Sequence, residues 1–189
     1  SGQSARTLSV VNDECVLGLN LLTKKPVLYV CNVDEQSING NKYTDMVNES
    51  IINEKSEMLI ISAAIEADIN ELDSIQDRQD FLAEMGLDEP GVNKVIKAAY
   101  SLLGLHTFFT AGEKEVRAWT IKKGALAPEA AGVIHTDFEK GFIRAEVISF
   151  NDRIQFKTEQ GCREAGKISI EGKNYEVCDG DVIHFRFNV

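Results

Sequence analysis

At 189 residues the chain can hold one large domain or two small ones, and its apolar and charged shares, 43% and 26%, are ordinary for a globular protein. Its formal net charge of −10 excludes bulk attraction to nucleic acid and confines any RNA contact to a local basic patch. The acidic excess is uneven: residues 1–103 carry 8 Lys and Arg against 17 Asp and Glu, whereas residues 104–189 carry 12 against 13.

In chain order, residues 1–8 read as a frayed polar end. Ser9 suits the cap of a helix reaching about Leu22, with Val11, Cys15, Leu19 and Leu22 in one stripe. Pro26 ends that region and opens the apolar run Val27 to Cys31, the pattern of a strand buried on both faces of a parallel sheet. Thr44 to Lys55 reads as a helix with Met46, Val47, Ile51 and Ile52 inward, and Met58 to Ile61 as a second buried strand. Further helices are expected over Ser62 to Asp73, Arg78 to Met85 and Val92 to Leu103, the last with Val95, Ile96, Ala99, Leu102 and Leu103 as its apolar face. Gly104 closes it, and the periodicity changes there.

From His106 the pattern is mostly β. His106 to Thr110 and Glu115 to Ile121 read as a hairpin. Pro128 starts a short helix ending near Ile134 or His135. Phe142 to Phe150 reads as a strand, with Ile143, Ala145 and Val147 on one face. Thr158 to Ala165 is a short helix, and Lys167 to Ile170, Tyr175 to Cys178 and Val182 to Phe187 are closing strands. That order, two strands, a helix and further short strands, is the order of a β-grasp.

Ligands of open α/β sheets bind beyond the carboxyl ends of the strands. Asn32, Val33 and Glu35 follow the first strand, and Ser62 and Ala63 follow the second. Two readings are open for these residues: a nucleobase pocket, or a plain turn begun by Asn32. Neither GxxxxGK[ST] nor GxGxxG occurs in the chain, so a base-reading loop here has no phosphate cradle beside it. Cys15, Cys31, Cys162 and Cys178 form no CxxC pair, so no zinc site is expected. No signal peptide and no run of membrane-spanning length is visible. A reducing, cytoplasmic setting and no membrane partner are therefore expected.

The second half carries longer texts. Phe108-Phe109-Thr110-Ala111-Gly112-Glu113-Lys114, continuing to Trp119, resembles the YchF family of Obg-related P-loop NTPases. So do Ala130 through Glu146, which contains His135, Asp137 and Lys140, and the closing Asp179 through Val189. Thr23 through Glu35 is similar to the family's fourth G motif, and Ser62-Ala63 to its fifth. The resemblance implies an α/β partial G domain followed by an α+β β-grasp (ubiquitin-like) TGS domain. Its implied boundaries are 1–24 for the end of a helical insertion, 25–104 for the carboxyl-terminal part of the G domain and 105–189 for the TGS domain.

The resemblance also implies function. The complete protein is expected to bind and hydrolyse ATP or GTP, with its Mg²⁺ ligands outside this chain, while this chain alone is inactive. No catalytic residue and no metal ligand is assigned to it. In ordinary GTPases the fourth motif is Asn-Lys-x-Asp, and its Asp accepts two hydrogen bonds from guanine. Here Glu35 replaces that Asp and Val33 the Lys, so guanine need no longer be favoured. Asn32 is expected to orient the loop or touch the base, and Ala63 to offer a backbone N–H at its edge. Lys114, Arg117, Lys122, Lys123, Lys140 and Arg144 supply basic charge, and with His135 and Asp137 they are candidate contacts to RNA or a ribosome. The alternative is a non-enzymatic TGS module that binds RNA, ribosome or protein without nucleotide.

Overall fold

The computed structural model describes residues 4–8, 18–54, 56–112 and 115–188. The chain divides into two compact units, Ser1–Leu103 and Gly104–Val189, each a mixture of helices and strands.

The first unit is built on a parallel pair, β1 (Leu28–Asn32) and β2 (Glu57–Ile61), in register from Leu28 opposite Glu57 to Asn32 opposite Ile61. Between them runs α1 (Lys42–Ile51). Asn41 caps it by accepting hydrogen bonds from the N–H groups of Tyr43 and Thr44, and the Thr44 hydroxyl accepts from the Asn41 N–H in return. This cap starts the helix earlier than the expected Thr44 and turns its buried stripe to Thr44 and Ile51. Met46 and Ile52, expected inward, are exposed. After β2 come α2 (Ala63–Glu71), α3 (Ile75–Glu84, capped by Ser74) and α4 (Gly91–Leu103). Ile65 and Ile69 of α2 pack with Leu82 of α3 in a small core. Glu66 holds the start of α4, accepting from the N–H of Gly91 at 2.6 Å and of Val92 at 3.3 Å.

Three expectations for this unit are corrected. β1 is not buried on both faces: Val30 stays 43% exposed, and among the described residues β1 pairs with β2 alone. The helix expected to run to about Leu22 does not cover 18–22. Gly18-Leu19 is a turn, Leu22–Lys24 is a single 3₁₀ turn, and Leu19 and Leu22 are exposed, while residues 9–17 lie outside the described residues. On α4, Ala98 is the buried position, whereas Ile96 and Leu103 face outward. The amino-terminal segment is tied down by Arg6, which donates to Glu54 at 3.1 Å, and Tyr29 donates to the same Glu54 oxygen at 3.0 Å.

The second unit is a five-stranded mixed sheet in the order β4-β3-β7-β5-β6. Its strands are β3 (Leu105–Ala111), β4 (Val116–Lys122), β5 (Phe142–Ile148), β6 (Ser169–Glu171) and β7 (Val182–Phe187). β7 runs parallel to β3 and antiparallel to β5. Helix α5 (Ala127–Ile134) buries Ala127, Ala130 and Ala131 in the core, where small side chains let it lie close to the sheet. Phe108 and Phe185 meet edge to face beneath it, ring centroids 5.9 Å apart. α6 (Thr136–Lys140) follows at once and leads into β5.

Three expectations change here. The strand expected through Phe150 stops at Ile148, because the Ser149 hydroxyl accepts from the Asp152 N–H and caps α7 (Phe150–Phe156); α8 (Glu159–Glu164) follows. A register shift between Phe142 and Arg144 places Phe142 in the core and leaves Ile143 exposed. Tyr175 to Cys178 forms a single bridge, Leu126 with Glu176, rather than a strand. The segment is held by Asp181, whose buried carboxylate accepts from the Tyr175 hydroxyl at 2.7 Å and the Cys178 N–H at 2.9 Å.

Candidate functional site

The carboxyl ends of β1 and β2 lie side by side, and the residues that leave them are cross-linked. Val33 N–H donates to the Ile61 carbonyl at 2.9 Å, extending the strand pairing by one bond. The Asn32 side-chain oxygen accepts from the Ala63 N–H at 2.9 Å. Ala63 is the first residue of α2, and Ser62, at the cap position, makes no side-chain capping bond. Asn32 therefore caps α2 from the neighbouring strand. The Ala63 N–H, expected at a base edge, donates to Asn32 here. Ser62 is buried, and its hydroxyl meets no hydrogen-bond partner among the described residues. Beyond Val33 the Asp34 carboxylate accepts from the Ser37 N–H at 2.9 Å, which fixes the turn Glu35–Ser37. Glu35 is the first residue of that turn and is exposed. Asn32, Val33, Ser62 and Ala63 are thus gathered at one rim, with Glu35 just outside it.

The cationic candidates are not gathered in this way. Arg117 lies on the edge strand β4 and stacks over the Trp119 ring, its guanidinium carbon 4.1 Å from the centroid. Trp119 packs against the core and donates from its indole N–H to the Thr110 hydroxyl at 2.9 Å. Lys122 and Lys123 are exposed at the end of β4, and Lys140 is exposed at the end of α6. His135 caps α6: its Nδ1 accepts from the Asp137 N–H at 3.2 Å, with the Asp137 carboxylate 3.5 Å away. Lys114 lies outside the described residues. Arg144 is on β5, which β3 and β7 separate from β4, a distance of roughly 14 Å at ordinary strand spacing. A different basic group forms around Arg144. Arg186 of β7 donates to Glu146 at 3.1 Å, and Arg144 and Arg163 each approach the Glu146 carboxylate at 3.7 Å. The Arg186 hydrogen bond, against the opposing effect of burial, holds the Glu146 carboxyl below its ordinary range. Among the described residues no group of three His, Cys, Asp or Glu could hold a metal ion, and no helix is long and apolar enough to cross a membrane.

Residues 105–188 match the family described as YchF-GTPase_C, "Protein of unknown function (DUF933)". The chain is 55% identical over 186 residues to the protein named Ribosome-binding ATPase YchF of Haemophilus ducreyi, covering 97% of this chain and 51% of that protein. It is also 50% identical over 194 residues to the protein of the same name from Bacillus subtilis, covering 100% of this chain and 53% of the relative. The chain belongs to the YchF family. It spans about half the length of the curated YchF relatives it matches, 51% and 53% in these two cases, and the matched family places it in their carboxyl-terminal half. The solved structure of the Schizosaccharomyces pombe YchF GTPase superimposes with a TM-score of 0.76 at 37% identity, over 88% of this chain and 44% of that one. A GTP binding protein from Pyrococcus horikoshii shares the fold, with a TM-score of 0.59 at 18% identity. Within this YchF chain, Arg163, Arg186 and Glu146 are the residues that reading the sequence misses. The alternation of Val182 to Phe187 signals that Arg186 shares a face with His184. Only the register of β7 on β5 reveals which residue it meets.

Proposed function

We propose that this chain supplies base recognition and ribosome docking to a YchF-type NTP-binding and hydrolysing protein of the cytoplasm. The observation that carries the reading is the Asn32–Ala63 bond, which clamps the loop after β1 to the start of α2 at the carboxyl ends of two parallel strands. In this reading residues 1–24 end a helical insertion, 25–104 are the carboxyl-terminal part of the G domain and 105–189 are a TGS domain. The sheet order β4-β3-β7-β5-β6, with β7 inserted parallel to β3 and α5 packed on one face, supports the β-grasp assignment. Asn32 holds the loop, Val33 offers apolar surface and backbone to the base, and Glu35 replaces the shorter carboxylate that selects guanine. The nucleotide is ATP or GTP, and its Mg²⁺ ligands lie outside this chain. The test is competition binding of ATP against GTP to the complete protein. Val33→Lys with Glu35→Asp should move preference toward GTP, and an unchanged ratio rejects the assignment.

A second reading has one observation in its favour, the arginines around Glu146. In it the second unit docks on RNA, ribosome or protein without nucleotide. Ribosome co-sedimentation that is indifferent to added nucleotide and to Asn32→Ala would favour it.

A further inference from the structure

β4 ends its sheet, and among the described residues no strand pairs with its outer edge. The bonds at the two ends of the β3–β4 hairpin fix which backbone groups that edge presents. Gly112 N–H donates to the Glu115 carbonyl at 2.9 Å, and Lys123 N–H donates to the Gly104 carbonyl at 2.8 Å. Antiparallel ladders alternate between bonded and non-bonded pairs. Arg117, Trp119 and Ile121 therefore turn their backbone groups toward β3, whereas those of Val116, Ala118 and Lys122 point away from it. The Lys122 carbonyl is used on the Ala125 N–H at 3.0 Å, which leaves the Lys122 N–H and both backbone groups of Val116 and Ala118 along the edge. Long edges of this kind are templates for another strand.

Between the carboxyl end of β4 and α5 lies a cavity of about 400 Å³. Ile121, Ala125 and Val133 give it apolar surface, and Lys122 and Lys123 stand at its mouth. Glu129 is the one carboxylate in its lining, and that carboxylate accepts from the Leu126 N–H at 2.8 Å at the start of α5. Val116 to Lys123 carries Arg117, Lys122 and Lys123 and no acidic residue, in a chain of net charge −10. Arg117 and Lys122 are five positions apart, roughly 17 Å along a strand. An open edge, an apolar cavity beside it and cations at both ends are the parts of a strand-addition site, in which main-chain bonds give affinity and pockets for alternate side chains give specificity.

We infer that β4 and the groove toward α5 bind an extended peptide as a sixth strand, with an aliphatic side chain in the cavity on Ile121 and Val133 and acidic residues at both ends, on Arg117 and on Lys122 and Lys123. A second copy of this chain fits less well, because two β4 edges would bring two sets of these cations together. The site is separate from the rim at Asn32 and from the arginines around Glu146, and it adds a peptide partner to both readings above.

The probe is a fluorescein-labelled peptide, Asp-Asp-Val-Thr-Val-Thr-Val-Asp-Asp, titrated with the full 189-residue chain by anisotropy. The unaltered chain should bind it, and hydrogen exchange at the Ala118 amide should slow in the complex while that at Trp119, already turned to β3, stays as it was. Ala118→Pro removes an outward N–H without touching the bonds to β3 and should weaken binding roughly fivefold or more. Lys122→Glu with Lys123→Glu should weaken it roughly tenfold or more. Val133→Glu, which sets a carboxylate in the cavity, should weaken it as well. Only alternate residues of an added strand turn their N–H groups to β4. N-methylation of the three Val residues and of the two Thr residues, in separate peptides, should therefore abolish binding in one and spare it in the other. If Ala118→Pro lowers the thermal midpoint, these peptides replace it, since they leave the protein unaltered. Absence of binding by the unaltered chain overturns the inference, as do equal effects of the two methylated peptides or unchanged exchange at Ala118. A dimer in analytical ultracentrifugation that Ala118→Pro dissolves assigns the edge to a second copy and overturns the peptide claim. Binding of a labelled oligoadenylate in place of the peptide makes the lysines a nucleic-acid contact and overturns it too.

Discussion

Replacing Asn32 with Ala removes one hydrogen bond, and the structure says where the loss is felt. The bond joins the Asn32 side-chain oxygen to the Ala63 N–H at 2.9 Å, and Ala63 is the first residue of α2. Ser62 contributes no capping bond of its own, so the substitution amounts to deleting the helix cap. Such deletions cost about 1 kcal/mol. Both partners lie at the surface, so the freed N–H reaches water and the cost stays near the ordinary net worth of a hydrogen bond, about 0.5–1.5 kcal/mol. An opening equilibrium shifted by about 1 kcal/mol changes roughly fivefold. Native-state hydrogen exchange of the Ala63 amide, read by NMR, should therefore quicken about fivefold in Asn32→Ala, with smaller changes through Ile69 and none in β7. Asn32→Asp keeps an acceptor in place and should restore protection. Unchanged exchange at Ala63 in Asn32→Ala would refute the capping role, and so would failure of the Asp variant to restore it.

The chain by itself should hydrolyse neither ATP nor GTP above background; turnover lost on changing Asn32 or Glu35 would contradict this. In the complete protein, Val33→Lys with Glu35→Asp should shift the ATP-to-GTP binding ratio by roughly 1–3 kcal/mol toward GTP, measured by competition. Asp181→Ala leaves the Tyr175 hydroxyl and the Cys178 N–H without their buried acceptor, and should cost roughly 2–3 kcal/mol and lower the melting temperature of the second unit by about 10–20 °C in calorimetry. Burial first, and then Asp181, raise the Tyr175 pKa above its ordinary value. The stability this contributes is complete below about pH 10 and is lost as pH rises further, so a melting series should decline less steeply above about pH 10 in Tyr175→Phe than in the unaltered chain. The first unit should melt before the second, because its core cluster rests on Ile65, Ile69 and Leu82 while the second has a sheet-wide core; equal protection of β1 and β7 amides in exchange would contradict that order.

The strands were legible where an apolar run is bounded by a breaker. Pro26 and the polar group after Cys31 mark β1, and the Ala111–Lys114 turn marks the β3–β4 hairpin. The helix at Pro128 was legible because proline suits a first turn. What one sequence does not show is how many neighbours a strand has. Val30 reads as buried because parallel strands usually are, yet it is exposed, and among the described residues β1 has β2 alone as a strand partner. Helix α7 was hidden for a local reason: Phe150 favours strands, and the Ser149 cap looks like the end of one. At the candidate site the order of elements placed Asn32 and Ser62-Ala63 at strand ends. That the Asn32 oxygen is used on Ala63 is a matter of distance, which spacing in sequence does not carry. The arginines around Glu146 were hidden for a related reason. Residues 144, 163 and 186 meet through the register of β5 on β7 and the placement of α8, and nothing in the local pattern of any one of them points to the others.

β7 is a central strand of its sheet, hydrogen-bonded to β3 on one side and β5 on the other, yet it comes after every other strand in the chain. During synthesis the β3–β4 hairpin and the β5–β6 pair leave the ribosome first, as two half-sheets with open edges. The Asp179–Asp181 turn docks onto β3 just ahead of the missing strand, with Thr107 N–H donating to the Asp179 carboxylate at 2.7 Å and Gly180 N–H to the Thr107 carbonyl at 2.7 Å. Closure of this unit therefore waits for β7: its halves stay apart until residues up to 187 have cleared the exit tunnel. Such long-range pairing is slow, and open strand edges are where nascent chains aggregate. A protein of this architecture has its greatest need of a chaperone in the interval between the emergence of β6 and that of β7.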